Sequence, residues 1–297
     1  MPLLAAILLA AAPPGDAPPS PPTSETDSIV VTGTPQTREE ARERALEFVR
    51  RTGVAEADPI ARWVTPICPR VSGVDAKVAA IVAERVRIVA ADAGARVAKT
   101  GCEPNIAIVF TRDGVGFAQA AMRKAPARFQ QMPPSTRERL LESDDAIRWF
   151  HTTRMRSRHG SAVSSAPMPG VGSGEGAVPT IGGPSLSQYN TSLVSTQAVR
   201  ALSTATVIID VERASGYPLE AIASFAAMVA LVEMDDDPPP PGGSILSLFD
   251  GEADRQELSD QDMAFLQAVY RLPPDREARQ HRRQLVGAMT REAIGDK

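Results

Sequence analysis

Residues 218–235 read Pro-Leu-Glu-Ala-Ile-Ala-Ser-Phe-Ala-Ala-Met-Val-Ala-Leu-Val-Glu-Met-Asp. Across 221–232 the only polar side chain is Ser224, so a helix here is apolar on every face. Such a helix belongs in a core or a membrane, and this run is shorter than the roughly 20 residues that a membrane span needs. We therefore predict a central helix buried under a sheet, begun by Pro218 and ended by the Pro/Gly-rich segment 235–243.

Two further segments follow this helix in a recognisable order. Residues 244–246 read Ser-Ile-Leu, and a second helix over 258–270 opens with Leu-Ser-x-x-Asp and ends with Val-Tyr. This order resembles the metzincin branch of the zincins. In these zinc metallopeptidases a helix with the H-E-x-x-H-x-x-G-x-x-H-D motif is followed by a tight Met-turn and a closing helix. The resemblance covers 218–271 and implies an α+β, zincin-like fold, with a mixed sheet packed on the buried central helix and additional helices at both ends.

The positions that would bind the metal carry other residues. In the register of the resemblance, the three ligand positions are Ser224, Met228 and Met234, and the general-base position is Phe225. A catalytic zinc needs about three nitrogen or oxygen donors and an open position for water. Thioethers are too soft for zinc, and a phenyl ring cannot accept a proton. The resemblance therefore implies a degenerate metal site with no catalytic residue, metal or other cofactor.

Composition excludes several classes of function. A chain of 297 residues can bury a full core, and its net charge of −4 gives no strong attraction for nucleic acid. No Gly-rich phosphate loop precedes a helix, and no G-x-S-x-G nucleophile elbow is present. We expect no transmembrane segment in the mature chain.

Local composition predicts how the chain is divided into segments. Residues 1–12, Met-Pro-Leu-Leu-Ala-Ala-Ile-Leu-Leu-Ala-Ala-Ala, are typical of a secretory signal, which we place at 1–17. A Pro/Ser-rich disordered linker follows at 18–36. We expect a single zincin-like domain at 37–297 with a flexible Gly/Pro-rich loop at 166–184. This plan predicts a periplasmic or secreted protein of the bacterial envelope; the alternative is an ordinary apolar N-terminus.

The end of the linker resembles a TonB box. Residues 27–34 read Asp-Ser-Ile-Val-Val-Thr-Gly-Thr, as in the N-terminal segment of many outer-membrane receptors. In this interpretation Ile29, Val30 and Val31 pair with an exposed sheet edge of a partner protein. The alternative is a strand on the protein's own sheet or a flexible arm.

Cys68 and Cys102 flank a long amphipathic helix that Gly94 ends. In an exported chain, two cysteines predict a disulfide. A redox or metal pair is the alternative, but no histidine pattern accompanies these cysteines.

Other segments supply candidate ligand-binding residues. The predicted strand 146–156 contains His151 and Arg154, and His159 follows, so an anion-binding site is one interpretation; the other is a solvated basic strand edge. The strand 204–211 precedes the central helix. In zincins an edge strand precedes that helix and lines the substrate cleft, and here Asp210 and Glu212 lie at its end, where paired acids are usually solvated.

These patterns favour a non-catalytic binding or accessory protein whose partner is an unknown protein or peptide. One alternative is a secreted peptidase with a non-standard site, for example at His151 and His159. Another is an interaction protein engaged through residues 27–34. The charged tail 275–297 is interpreted as a packing or surface helix.

Overall fold

A computed structural model describes residues 37–130, 132–157, 198–235, 240, 243–250 and 256–295, all within one compact unit, Gln36–Lys297. The signal, the linker with its TonB-box-like segment, the loop 166–184 and His159 lie outside the described residues.

The sheet has four strands in the order β1-β2-β4-β3. They are β1 Pro69–Ser72, β2 Ile106–Thr111, β3 Ile147–Ser157 and β4 Ala198–Asp210. The first, second and fourth strands are parallel, and β3 is antiparallel to β4. The mixed sheet and the α+β class are thus confirmed. Within the described part of the chain, β3 has a neighbour on one side only and is an edge strand.

Seven α-helices surround this sheet in the described residues: α1 Arg38–Arg51, α2 Ala76–Ala93, α3 Gly114–Lys124, α4 Pro134–Glu142, α5 Leu219–Leu231, α6 Asp260–Arg271 and α7 Ala278–Ala293. Local sequence sets several of their ends. Thr37 and Glu40 form a capping box at the start of α1. Gly94 ends α2 at φ 89°, a left-handed conformation that only glycine adopts at low cost.

The central helix α5 is buried along nearly its whole length, as its sequence predicts. Every residue from Ala221 to Leu231 is buried. Burial of a large apolar side chain such as Phe225 or Met228 stabilises the fold by about 1.5–3 kcal/mol. Pro218 is the N-cap, so the helix begins at Leu219, one residue later than predicted.

The two faces of the sheet carry separate apolar clusters. The larger cluster joins one face to α2, α5 and α6. The smaller one packs α3 and α4 on the other face and consists of Ala118, Phe129, Leu140, Phe150 and Ile208. The edge strand β3 therefore contributes side chains to both clusters, which fixes its position.

One expectation about the sheet was wrong. The strand before the central helix, β4, pairs with β2 on one side and β3 on the other, so it is not the edge. Asp210 is buried at its end instead of solvated, and it accepts hydrogen bonds from the N–H groups of Gly114 and Glu212 at 3.2 and 3.1 Å. Its carboxylate therefore caps the turn after β4.

The predicted disulfide is confirmed. Cys68 and Cys102 are bonded, with their Cα atoms 6.1 Å apart, and they connect the start of β1 to the loop after α2. Among the described residues, no helix combines the length and the apolar character that a membrane crossing requires.

Candidate functional site

A cleft of about 590 Å³ lies beside the edge strand β3. Residues 149–153 of β3 line its back, and Arg200 and 233–235 line its floor. The loop 53–61 after α1 forms one wall. The other wall comes from the segment before α4 and from its first turn: Ala127, Arg128, Met132, Pro133 and Thr136.

The loop 53–61 is fixed by α7. The Ile60 N–H donates to Nδ1 of His281 at 3.1 Å, and the Arg282 guanidinium donates to the Ala55 carbonyl at 3.1 Å. Nε2 of the His281 ring donates to the Pro273 carbonyl at 2.8 Å, so this histidine is neutral with its proton on Nε2. The C-terminal helix therefore positions one wall of the cleft.

Within the described residues no strand pairs with the outer edge of β3, and its backbone presents hydrogen-bonding groups there. The Asp210 N–H donates to the Ala146 carbonyl at 2.9 Å, so these two opposite residues form a hydrogen-bonded pair. In an antiparallel ladder such pairs alternate with non-bonded ones. In the register of β3 and β4 the N–H and C=O groups of Trp149 and His151 therefore point away from β4. Both residues line the cleft.

His151 connects the edge strand to the central helix. Its Nε2 lies 2.8 Å from the Val229 carbonyl oxygen and donates to it, because that oxygen only accepts. Burial lowers the pKa of His151 to about 4. The ring is neutral at neutral pH, and its Nε2 proton is committed to the helix. It is a structural link at the back of the cleft and is poorly suited to be a general base.

We expect the protein to lose stability as the pH falls from about 6.5 to about 4, because the folded state resists protonation of His151 across that range. Because this pKa is lowered from about 6.5 to about 4, the free energy of unfolding should be about 3 kcal/mol smaller in acid than at neutral pH. Burial also lowers the pKa of His281, which acts in the same direction. The measurement is the urea midpoint over a pH series.

His151→Gln is the control for this pH dependence, because an amide N–H can replace the donor to Val229 without titrating. Its stability should depend less on pH than that of the wild type. Equal slopes for the two proteins between these pH values would contradict the assignment.

Ion pairs connect the floor of the cleft to its walls. Arg200 pairs with Glu233 and lies 3.8 Å from Asp58 in the loop wall. Arg139 of α4 pairs with Asp235 at 2.8 Å. The lining carries four acidic side chains, Glu56, Asp58, Glu233 and Asp235, and two basic ones, Arg128 and Arg200. With His151 neutral and Arg139 paired to Asp235, the acidic side chains of the cleft still outnumber the basic ones.

The four positions that the zincin resemblance assigns to a degenerate metal site are all buried. Ser224 donates to the Glu220 carbonyl at 2.7 Å and accepts from Arg85 at 2.9 Å. Phe225 packs edge-on against Trp149, with ring centroids 5.8 Å apart. Met228 is fully buried, and of the four positions Met234 alone lines the cleft.

The structure does not bring Arg154 to His151. The two residues are three positions apart on β3 and therefore face opposite sides of the sheet. Arg154 is exposed and donates to the Ser203 hydroxyl. In the part of the chain that the structure describes, no group of three or more His, Cys, Asp or Glu side chains is placed to bind a metal ion.

Comparison with known proteins adds no relative: no family model, curated protein or solved structure matches the chain. Function must therefore be inferred from the geometry of the cleft.

Proposed function

We propose that this chain is an exported, non-catalytic protein of the bacterial envelope that binds an extended peptide along the free edge of β3. The observation that carries the proposal is the cleft itself, which follows the outward N–H and C=O groups of Trp149 and His151. A peptide that pairs with a strand edge gains affinity from main-chain hydrogen bonds, and pockets for alternate side chains give specificity.

The order of elements supports zincin ancestry for this binding site. An antiparallel edge strand lies beside the cleft, and β4 leads into the buried helix α5. The turn at Ile245–Ser247 and the helix α6 then follow in the order of the resemblance. Export is supported by the disulfide, since such bonds form in oxidising compartments.

The side chains of the cleft support binding without catalysis. The helix positions that would bind zinc hold Ser224 and Met228, both buried, and Phe225 stands at the base position. His151 uses its Nε2 proton as a fixed donor to Val229. The excess of acidic side chains in the lining favours peptides that carry Lys or Arg.

A blocked-cleft experiment tests the proposal. Ala57 and Ala127 are exposed alanines on opposite walls. We expect Ala57→Trp and Ala127→Trp each to weaken the binding of peptides selected from a random library at least about tenfold, because the indole fills the space beside β3 and a steric clash costs more than about 1.4 kcal/mol. Affinities are measured by isothermal titration calorimetry.

Ala120→Trp is the matched control, because Ala120 is an exposed alanine of α3 that does not line the cleft. This variant should bind as the wild type does. The proposal fails if the library yields no peptide, or if the three tryptophan variants bind selected peptides equally well. Stoichiometric zinc in the purified chain, with peptide cleavage that a chelator abolishes, would replace it with the peptidase alternative.

A further inference from the structure

A second groove, of about 450 Å³, lies between α1 and α7, at the surface formed by the first and last helices. Six arginines line it: Arg38, Arg42, Arg279, Arg282, Arg283 and Arg291. Its other lining residues are Leu46, Val286, Gly287 and Thr290. No acidic side chain is among the lining residues, so the groove combines an apolar floor with a strongly cationic rim.

Helical periodicity builds this groove from two distant parts of the sequence. Arg38, Arg42 and Leu46 recur every four residues and share one face of α1. On α7, Arg279, Arg283, Gly287 and Arg291 recur every four residues and share the facing side in the same way. Because α1 and α7 pack together, the two stripes meet.

Most of these charges have no acidic partner in the described part of the chain. Arg282 donates to the Ala55 carbonyl, but the other five arginines make no ion pair with any residue in the described ranges. The neighbouring acids Glu47 and Glu292 pair with arginines outside the groove. Like charges on one helix face destabilise it by some tenths of a kcal/mol per pair. An uncompensated cluster of this size indicates an anionic ligand.

We propose that the groove between α1 and α7 binds the phosphate headgroups of anionic phospholipids and so places this face against a membrane surface. Arginine forks match phosphate oxygens in a bidentate geometry. The aliphatic floor suits the glycerol and upper acyl carbons, and Leu46 is 43% exposed, so it can insert among them. This inference does not depend on the proposed peptide cleft.

Other anionic partners fit the groove less well. Single-stranded nucleic acid needs aromatic side chains for base stacking, and the lining contains none. An acidic peptide would meet two helix flanks, whose backbone groups are already bonded within the helices and offer no edge for pairing. An amphiphile with a phosphate head matches both the rim and the floor.

The test uses co-sedimentation of the full chain with equimolar phosphatidylglycerol/phosphatidylcholine vesicles and with pure phosphatidylcholine vesicles. We expect binding to the anionic vesicles in excess of any binding to the neutral ones. Arg42→Gln with Arg283→Gln should weaken the anionic binding about 25-fold, since each arginine near the surface contributes about fivefold. Residues 1–36 are the same in the wild type and in every variant, so their contribution to vesicle binding cancels in the comparison.

The control variant is Arg112→Gln with Arg123→Gln, which makes the same change in charge at exposed positions outside the groove. Its affinity should stay within about twofold of the wild type if the groove is the site. Equal weakening of both double variants would overturn the proposal in favour of general charge attraction. Circular dichroism confirms that each variant is folded.

Two further arms distinguish a lipid from a soluble anion. Leu46→Ser should weaken vesicle binding several-fold and leave binding of inorganic phosphate unchanged, because only the lipid contacts the floor. If Leu46→Ser had no effect on vesicle binding and inorganic phosphate displaced the protein from vesicles, the groove would be a soluble-phosphate site and the lipid proposal would be wrong. Tighter binding of polyglutamate than of anionic vesicles would likewise overturn it.

Discussion

Asp262→Ala is expected to lower the free energy of unfolding by about 4 kcal/mol, because it leaves several buried donors without an acceptor. The Asp262 carboxylate is fully buried. It accepts from the Ser244 hydroxyl at 2.5 Å, from the Ile245 N–H at 2.8 Å and from the Ser259 N–H at 2.9 Å. Each unsatisfied buried donor costs about 1–3 kcal/mol, so the total exceeds that of an ordinary cap.

The comparison that isolates this effect is Asp260→Ala. Asp260 lies in the same first turn of α6 but is exposed, so its loss removes only a helix-dipole interaction of about 0.5 kcal/mol. Urea unfolding of both variants measures the difference. If Asp262→Ala and Asp260→Ala lowered the free energy of unfolding by similar small amounts, the prediction would be wrong. Water would then replace the hydrogen bonds of Asp262, and these bonds would not fix the turn at Ile245–Ser247 beneath α5.

The sequence predicted those elements whose signals are local. The run at 221–232 is apolar on every face, so it is stable only when it is removed from water, and the structure buries it. A helix over 258–270 was predicted from its local pattern, and the structure has α6 there, opened by a capping box of Ser259 and Asp262. The disulfide was predictable because Cys68 and Cys102 are the only two cysteines.

The cleft was not predicted, because no local pattern specifies which strand is an edge. Its parts come from 53–61, 127–136, 149–153 and 233–235, which only the sheet order brings together. The zincin resemblance implies an edge strand directly before the central helix, whereas β3 occupies this edge of the described sheet. The best available signal was the polar run His151-Thr152-Thr153 after the apolar Trp149-Phe150, typical of a strand whose exposure changes along its length.

The arginine groove was missed for a related reason. From its sequence, the charged tail 275–297 is interpreted only as a packing or surface helix. Each helix alone is an ordinary charged surface helix. The uncompensated charge appears only when α1 and α7 pack side by side, and that contact joins residues more than two hundred positions apart.

Removal of the disulfide by Cys68→Ser with Cys102→Ser is expected to cost about 4 kcal/mol in the free energy of unfolding, for a crosslink between cysteines 34 positions apart. The reason is an increase in the conformational entropy of the unfolded chain, since the bond restricts that state most. The folded state should change little, because Asn105 accepts from the Cys68 N–H at 2.7 Å and donates to the Pro66 carbonyl at 3.0 Å.

The urea dependence of unfolding distinguishes this entropic cause from a loss of native packing. Without the crosslink the unfolded chain expands and exposes more surface, so the double variant should show a larger m-value and an unchanged native circular dichroism spectrum. The matched control is the wild type after reduction and alkylation, which should have a similar midpoint. A loss in the free energy of unfolding below about 1 kcal/mol, with an unchanged m-value, would contradict the entropic explanation. It would mean that the unfolded chain keeps the two cysteines close even without the bond.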